Sequence, residues 1–148
     1  MSDPVAELRP KAPLEGGLPR RLAAPLGALA ATAAAFAYVG AVDPNEPGHY
    51  PVCPLLHLTG LYCPACGGLR SAHDLAHGDP AAALGANALA VAAYAACAVF
   101  WLLWLGRAAR GHRTAGPRPR AAHWWALGGL LLAFTVVRNL PFGGGLIP

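Results

Sequence analysis

The sequence predicts an all-α integral membrane protein with three transmembrane helices and a Cys-rich outer loop that contains a short interfacial helix. Three observations predict it. Only 12% of the 148 residues are charged, against about 25% in an ordinary soluble domain. The apolar residues fall into charge-free runs at 22–42, 84–105 and 121–137, and about 20 apolar residues cross a hydrocarbon core as a helix. Within the second run, Val99-Phe100-Trp101-Leu102-Leu103-Trp104-Leu105 is apolar on every face, where the surface helix of a soluble protein would carry a polar stripe.

The elements follow in order. Residues 1–20 hold Pro4, Pro10, Pro13 and Pro19 among mixed charges and read as a disordered cytoplasmic tail. Residues 21–148 form a single membrane domain. Its first helix spans about 22–42, with Pro25 in the first turn, where a missing amide donor is tolerated. Arg20-Arg21 and Ala35-Phe36-Ala37 resemble a cleavable leader, but Tyr38-Val39-Gly40 extends the run, and the reading is a retained helix. Asp43-Pro44-Asn45-Glu46-Pro47-Gly48 ends it and opens an outer loop over 43–83. Residues 50–60 are interrupted by proline and read as irregular or re-entrant. Residues 69–77 are helical, and Gly78-Asp79-Pro80 stops them. The second membrane helix spans about 84–105, and a basic loop covers 106–122. The third helix, about 123–140, needs Arg138 and Asn139 at its outer end; Arg138 could brace the cysteine loop from there, but the favoured reading is that it snorkels to the interface.

Charge asymmetry sets the orientation. Arg9, Lys11, Arg20 and Arg21 precede the first helix, and Arg107, Arg110, Arg113, Arg118 and Arg120 fill the second connection. The first connection holds Asp43, Glu46, Asp74 and Asp79 against Arg70 alone. Cationic loops stay cytoplasmic, so the amino terminus and the Arg-rich loop lie inside and the Cys-rich loop outside a multi-pass plasma-membrane protein. The Arg-rich loop reads as a topology signal and a contact for anionic lipid, not as a nucleic-acid surface. The expected partners are the lipid bilayer and a membrane protein. Small residues such as Ala92, Ala95 and Ala96 would permit close helix packing.

The chemistry-bearing residues are in the outer loop: Cys53-Pro54, then Cys63-Pro64-Ala65-Cys66-Gly67-Gly68-Leu69-Arg70. If Cys66 opens a helix, then Cys66, Arg70, His73 and His77 share one stripe, beside an apolar stripe of Leu69, Ala72 and Ala76. Three chemistries fit. Cys53, Cys63 and Cys66 with His73 or His57 make a Cys3His set of the kind that holds zinc. Cys63-Pro64-Ala65-Cys66 at a helix start suits thiol–disulfide exchange, with Cys53 as a third thiol. A disulfide from Cys53 to Cys63 or Cys66 would staple the loop, leaving one thiol over. Arg70 is expected to turn inward and donate to loop carbonyls rather than pair with Asp74. Asn87, costly in lipid unless bonded, is expected to brace the loop. Cys97 reads as an inert apolar side chain.

Cys53-Pro54, Thr59-Gly60, Cys63-Pro64, Cys66-Gly67, Arg70, Gly78-Asp79 and Asn87 together resemble the bacterial membrane family known as domain of unknown function 2752. The resemblance covers roughly residues 53–90. It implies a small integral membrane protein and no established reaction, substrate or cofactor. Ala65 stands where that family usually has Gly, Leu69 where it often has Thr, and Ala88 where it has Pro. The last departure puts a kink at the start of the second helix in doubt. The leading functional reading is a structural, binding or accessory role without enzymatic turnover, with Gly67, Arg70 and Asn87 as structural support. A thiol–disulfide oxidoreductase using Cys63 and Cys66 and a zinc-binding protein are the alternatives.

Overall fold

A computed structural model describes residues 17–112 and 119–143. These form five helices in the order α1 (Leu18–Ala41), α2 (Pro54–Thr59), α3 (Gly68–Ala76), α4 (Pro80–Ala109) and α5 (Ala121–Arg138), with no strand among the described residues. α1, α4 and α5 are each long and apolar enough to cross a membrane. The chain is a multi-pass helical membrane protein, with two short helices in the Cys-containing region.

The burial pattern is that of a protein whose solvent is lipid. Among the described residues the buried apolar side chains are few and mostly small: Val39, Cys66, Ala72, Ala83 and Ala108. Large ones such as Phe100, Leu102, Trp125 and Leu132 face outward. The largest fully buried side chains are Arg138, Asn87, Pro25 and Ser71, so the core is largely polar. Lipid tails are as apolar as leucine, and helices there associate through close packing and hydrogen bonds instead.

α1 begins earlier than its charge-free run. Gly17 caps it, and the helix includes Arg20 and Arg21, because a helix continues past the edge of the apolar region when its residues suit it. Residues 17–20 are therefore not part of a tail; residues 1–16, also assigned to it, lie outside the described residues. Pro25 falls inside the helix rather than in its first turn. Its carbonyl accepts the Trp101 indole N–H at 2.8 Å, which ties α1 to α4. Phe36 packs edge-on to Tyr94 further along the same pair.

α4 is broken where no break was expected. Asn87 adopts φ −164° and ψ 95° inside it, so a short segment after the Asp79 cap meets the long membrane helix at a kink. Proline is not needed because the side chain supplies the cause. Asn87 Oδ1 accepts from the Ala90 amide at 2.9 Å, the geometry of an N-cap three residues ahead of the donor. Asn87 thus starts a new helix within α4.

α3 packs on α4 and α1 through small residues. Ser71 and Ala72 are buried, whereas Leu69 is exposed and so is Ala76. The expected stripe of Leu69, Ala72 and Ala76 is thus turned. A β-carbon on Gly68 would come within 4 Å of Tyr94 and Ala90, and this close approach favours the small face over the leucine. α5 makes no backbone-level contact with another helix among the described residues; its carboxyl-terminal tip does the docking.

Candidate functional site: a three-thiol loop held by buried polar side chains

The three loop cysteines converge. Cys53 Sγ lies 3.4 Å from Cys63 Sγ, and Cys63 Sγ lies 3.1 Å from Cys66 Sγ. All three sulfurs fall within 4.8 Å of one another. Cys53 is the N-cap of α2, whose start at Pro54 is set by the fixed φ of proline and whose end is set by Gly60 in the left-handed region at φ 72°. Cys63 and Cys66 bracket a tight turn closed by the Cys66 amide donating to the Cys63 carbonyl at 3.1 Å.

Gly67 then takes φ 83° and caps α3. Cys66 therefore stands outside the helix, and its thiol turns towards the other two rather than joining the stripe of His73 and His77. A side chain at φ near +80° costs roughly 1–2 kcal/mol. Gly67→Ala is expected to lower the melting temperature in micelles and to speed alkylation of Cys66; an unchanged Cys66 rate would show that the turn does not set the thiol's position.

Every carbonyl from Tyr62 to Gly68 has a donor. Tyr62 exchanges two hydrogen bonds with the Asn139 side chain, its amide donating to Oδ1 and its carbonyl accepting from Nδ2, both at 2.9 Å. Arg138 Nη1 donates to the carbonyls of Cys63 at 3.0 Å and Cys66 at 3.1 Å. Asn87 Nδ2 donates to Pro64 and Cys66 at 2.9 Å each. Gly68 N–H serves Ala65, Ser71 N–H serves Gly67, and the Tyr94 hydroxyl serves Gly68. The Ser71 hydroxyl, fully buried, gives its proton to the nearest carbonyl, Ala83 at 2.9 Å. An irregular turn beside a bilayer persists only if its polar backbone is satisfied from within the protein.

Two sequence expectations change here. Arg138 does not snorkel: it is 0% exposed and stacks its guanidinium near the Phe134 and Tyr62 rings. Arg70 is half-buried, with neither a hydrogen bond nor an ion pair among the described residues, so the carbonyl clamp expected of it comes from α5. Both are cations near the cysteine loop in the sequence reading, but only Arg138 reaches its carbonyls, from across the fold. Asn139, Ser71 and Tyr94 were not singled out by sequence; the adjacent Arg138 and Asn139 at the end of an apolar run were the available signal.

The histidines stand apart. The sulfur group contains neither His57 nor His73. His57 is exposed on α2, and His73 bonds the Val39 carbonyl on α1. Cys97 lies exposed along α4. Nearby groups divide the thiols. The Leu56 amide, and then the Cys63 thiol, draw Cys53 down to about 7. Burial first, and then the Cys63 thiol, push Cys66 up to about 12. Cys53 should therefore alkylate with a rate that climbs between about pH 6 and 8 and then levels, as thiolate nucleophiles do, while Cys66 stays slow throughout. Peptide-mapped iodoacetamide rates check this, and a Cys53 rate still rising steeply past about pH 9 would refute it.

Residues 53–101 match the family described as Protein of unknown function (DUF2752). The DUF2752 segment opens on Cys53, contains all three converging thiols, Gly67, Ser71, Asn87 and Tyr94, and closes at Trp101 on α4. It bears out the resemblance read from the sequence motifs. α1, Arg138 at the end of α5 and its C-cap Asn139 lie outside that match. No curated protein and no solved structure matches the chain.

Proposed function

We propose that this membrane protein is a binding rather than a catalytic protein, and that its three-thiol loop holds a thiophilic divalent ion, zinc being the fitting one. The observation that carries the reading is three-way convergence. A disulfide engages two sulfurs and leaves the third without a role, whereas a metal uses all three. Zinc–thiolate bonds of about 2.3 Å place tetrahedral sulfurs about 3.8 Å apart, and the two shortest sulfur separations, 3.4 and 3.1 Å, reach that spacing with small adjustments. Metal capture must displace the Cys66 proton, so uptake weakens as pH falls. A fourth position is left for an exogenous ligand or a partner's side chain, which suits an accessory or handover role.

The test is zinc uptake by the reduced full-length chain in detergent micelles. The expected result is one zinc per chain, with Cys53, Cys63 and Cys66 all protected from alkylation and Cys97 still reactive. Recovery of a disulfide between two of the three, with no zinc uptake after reduction, would overturn it. One observation favours a second reading: a thiol near neutral pKa at Cys53, 3.4 Å from Cys63, suits thiol–disulfide exchange, and a labile mixed disulfide trapped on Cys53 would select it.

The orientation proposed for the site is extracytoplasmic, in the plasma membrane, with the amino terminus and the Arg-rich connection inside. That connection then serves topology and anionic headgroups rather than nucleic acid. A membrane-impermeant thiol reagent on intact cells should label a cysteine introduced at Glu46 and spare one introduced at Thr114; the reverse pattern would invert the assignment.

A further inference from the structure

α2 buries none of its residues and packs against no other helix among the described residues, yet its cap is Cys53 of the three-thiol loop. Its outward side chains are apolar. Leu58 is 81% exposed and Val52 72%, and Leu55 and Leu61 are exposed with them. At about 100° per residue, Leu55 and Leu58 stand roughly 60° apart on one face, with His57 on the far side. Leu56 turns away from that face and is half-buried. No Asp, Glu, Lys or Arg occurs from Pro47 to Leu69, so no fixed charge holds the segment in water.

Two tyrosines fix the depth of this segment. The Tyr50 hydroxyl donates at 3.1 Å to the carbonyl of Val42, the C-cap of α1, and its ring packs edge-on to Tyr38 on that helix. Tyr62 is bonded to Asn139, the C-cap of α5. Residues 50–62 are thus strung between the ends of two spanning helices, and tyrosine is itself a residue of the membrane–water boundary. α2 stays close to that level. Its six residues extend only about 9 Å, and Cys53 at its start is held 3.4 Å from the sulfur of Cys63, the neighbour of Tyr62. Its polar groups close on themselves. The Leu56 and Leu55 amides turn to the Cys53 sulfur, and the His57 and Gly60 amides donate to the Cys53 and Leu56 carbonyls. The Thr59 hydroxyl donates to the Leu55 carbonyl at 2.6 Å and accepts from the Leu61 amide at 3.2 Å. Pro51 and Pro54 have no N–H to satisfy. Lipid demands this kind of internal closure.

We propose that α2 lies in the bilayer interface, with Val52, Leu55, Leu58 and Leu61 inserted among the acyl chains of the leaflet on the three-thiol side. Lipid is the occupant because the face continues the lipid-facing surface of the spanning helices at their ends, where Leu140 and Phe142 are exposed just past Asn139. An apolar helix face of this kind sinks about 5–10 Å into the boundary of headgroups and chains, which matches the reach of α2. Cys53 then stands at headgroup level, and a partner of the three-thiol loop meets it at the membrane surface. The seat does not depend on a metal at the thiols.

The test is photocrosslinking of the purified full-length chain in phosphatidylcholine vesicles. A diazirine analogue of leucine replaces Leu58 and, in separate samples, Leu55 or His57. At 55 and 58 the analogue keeps the native shape, so folding is undisturbed. Lipid adducts should dominate at 55 and 58, and water adducts at 57. Leu58→Asp should lose the lipid adducts at position 55, because the seat scales with the apolar area it buries. Water adducts at 58 in the otherwise native chain would overturn the proposal. So would a crosslink from 58 to a second copy of the chain, which would make the face a dimer contact. Equal lipid labelling at 57 and 58 would overturn it too, since lipid would then not single out the leucine face.

Discussion

Arg138→Met is expected to destabilise the protein by about 3 kcal/mol, the scale of losing buried hydrogen bonds to a charged donor, and to raise the alkylation rate of Cys66 sharply. The side chain is fully buried and donates to the carbonyls of Cys63 and Cys66, 75 and 72 residues away in sequence. Methionine fills similar space but donates nothing, so the Cys63 carbonyl keeps only the Cys66 amide and the Cys66 carbonyl only Asn87, and the charge-assisted bonds that tie α5 to the loop are lost. The damage should spread to α5, which is tied to the loop through Arg138 and Asn139. Arg138→Lys should fall between wild type and Met, because both carbonyl bonds come from the single nitrogen Nη1, which an ammonium imitates in part. Melting in micelles together with Cys66 alkylation measures this. A Met variant with wild-type Cys66 protection would mean that α5 does not hold the loop.

How much of this was legible in the sequence follows from the range of the interactions. The three spanning helices announce themselves because hydropathy is a local property: residues 22–42 and 84–105 read directly as apolar runs. The boundary of α1 did not, since Arg20 and Arg21 end the charge-free run without ending the helix. The loop motif was legible as a set of residue types, and the same residues bring the three sulfurs together. What holds the loop was legible in part: Asn87 was expected to brace it and does, but the ties from α5 were not the favoured reading. Tyr62 meets Asn139 across 77 residues, and no periodicity reports such a pairing. Arg70 was the nearest cation in sequence and Arg138 is the nearest in space. The stripe linking Cys66 to His73 failed for a smaller reason: Gly67 at φ 83° turns the chain before the helix begins, and a helical wheel drawn through it assumes a continuity that the backbone lacks. The kink at Asn87 was discounted for want of a proline, although an asparagine that caps a helix can start a new one unaided.

Asn87→Ala should cost nearly as much as loss of Arg138 and should fail differently. Asn87 is 1% exposed and uses every arm of its amide: Nδ2 serves the Pro64 and Cys66 carbonyls, and Oδ1 caps the Ala90 amide. Alanine removes a cap worth about 1 kcal/mol and leaves the Pro64 carbonyl without its donor, a further 1–3 kcal/mol or so. Asn87→Asp separates the two roles. A carboxylate still caps Ala90, but it has no hydrogen to offer and turns its charge on two carbonyl oxygens, so Asp should be worse than Ala if the loop contacts dominate. If Asp instead matches wild type, the cap alone matters and Asn87 does not brace the cysteines. The Cys66 carbonyl supplies the final discriminator, because Asn87 and Arg138 both donate to it. Either one alone leaves it satisfied. Removing both strands it, so the double variant Asn87→Ala with Arg138→Met should lose more than the sum of the single losses, by roughly 0.5–3 kcal/mol as expected for partners of one network. Strict additivity would mean that the two side chains act on the loop independently and that their shared acceptor carries no weight.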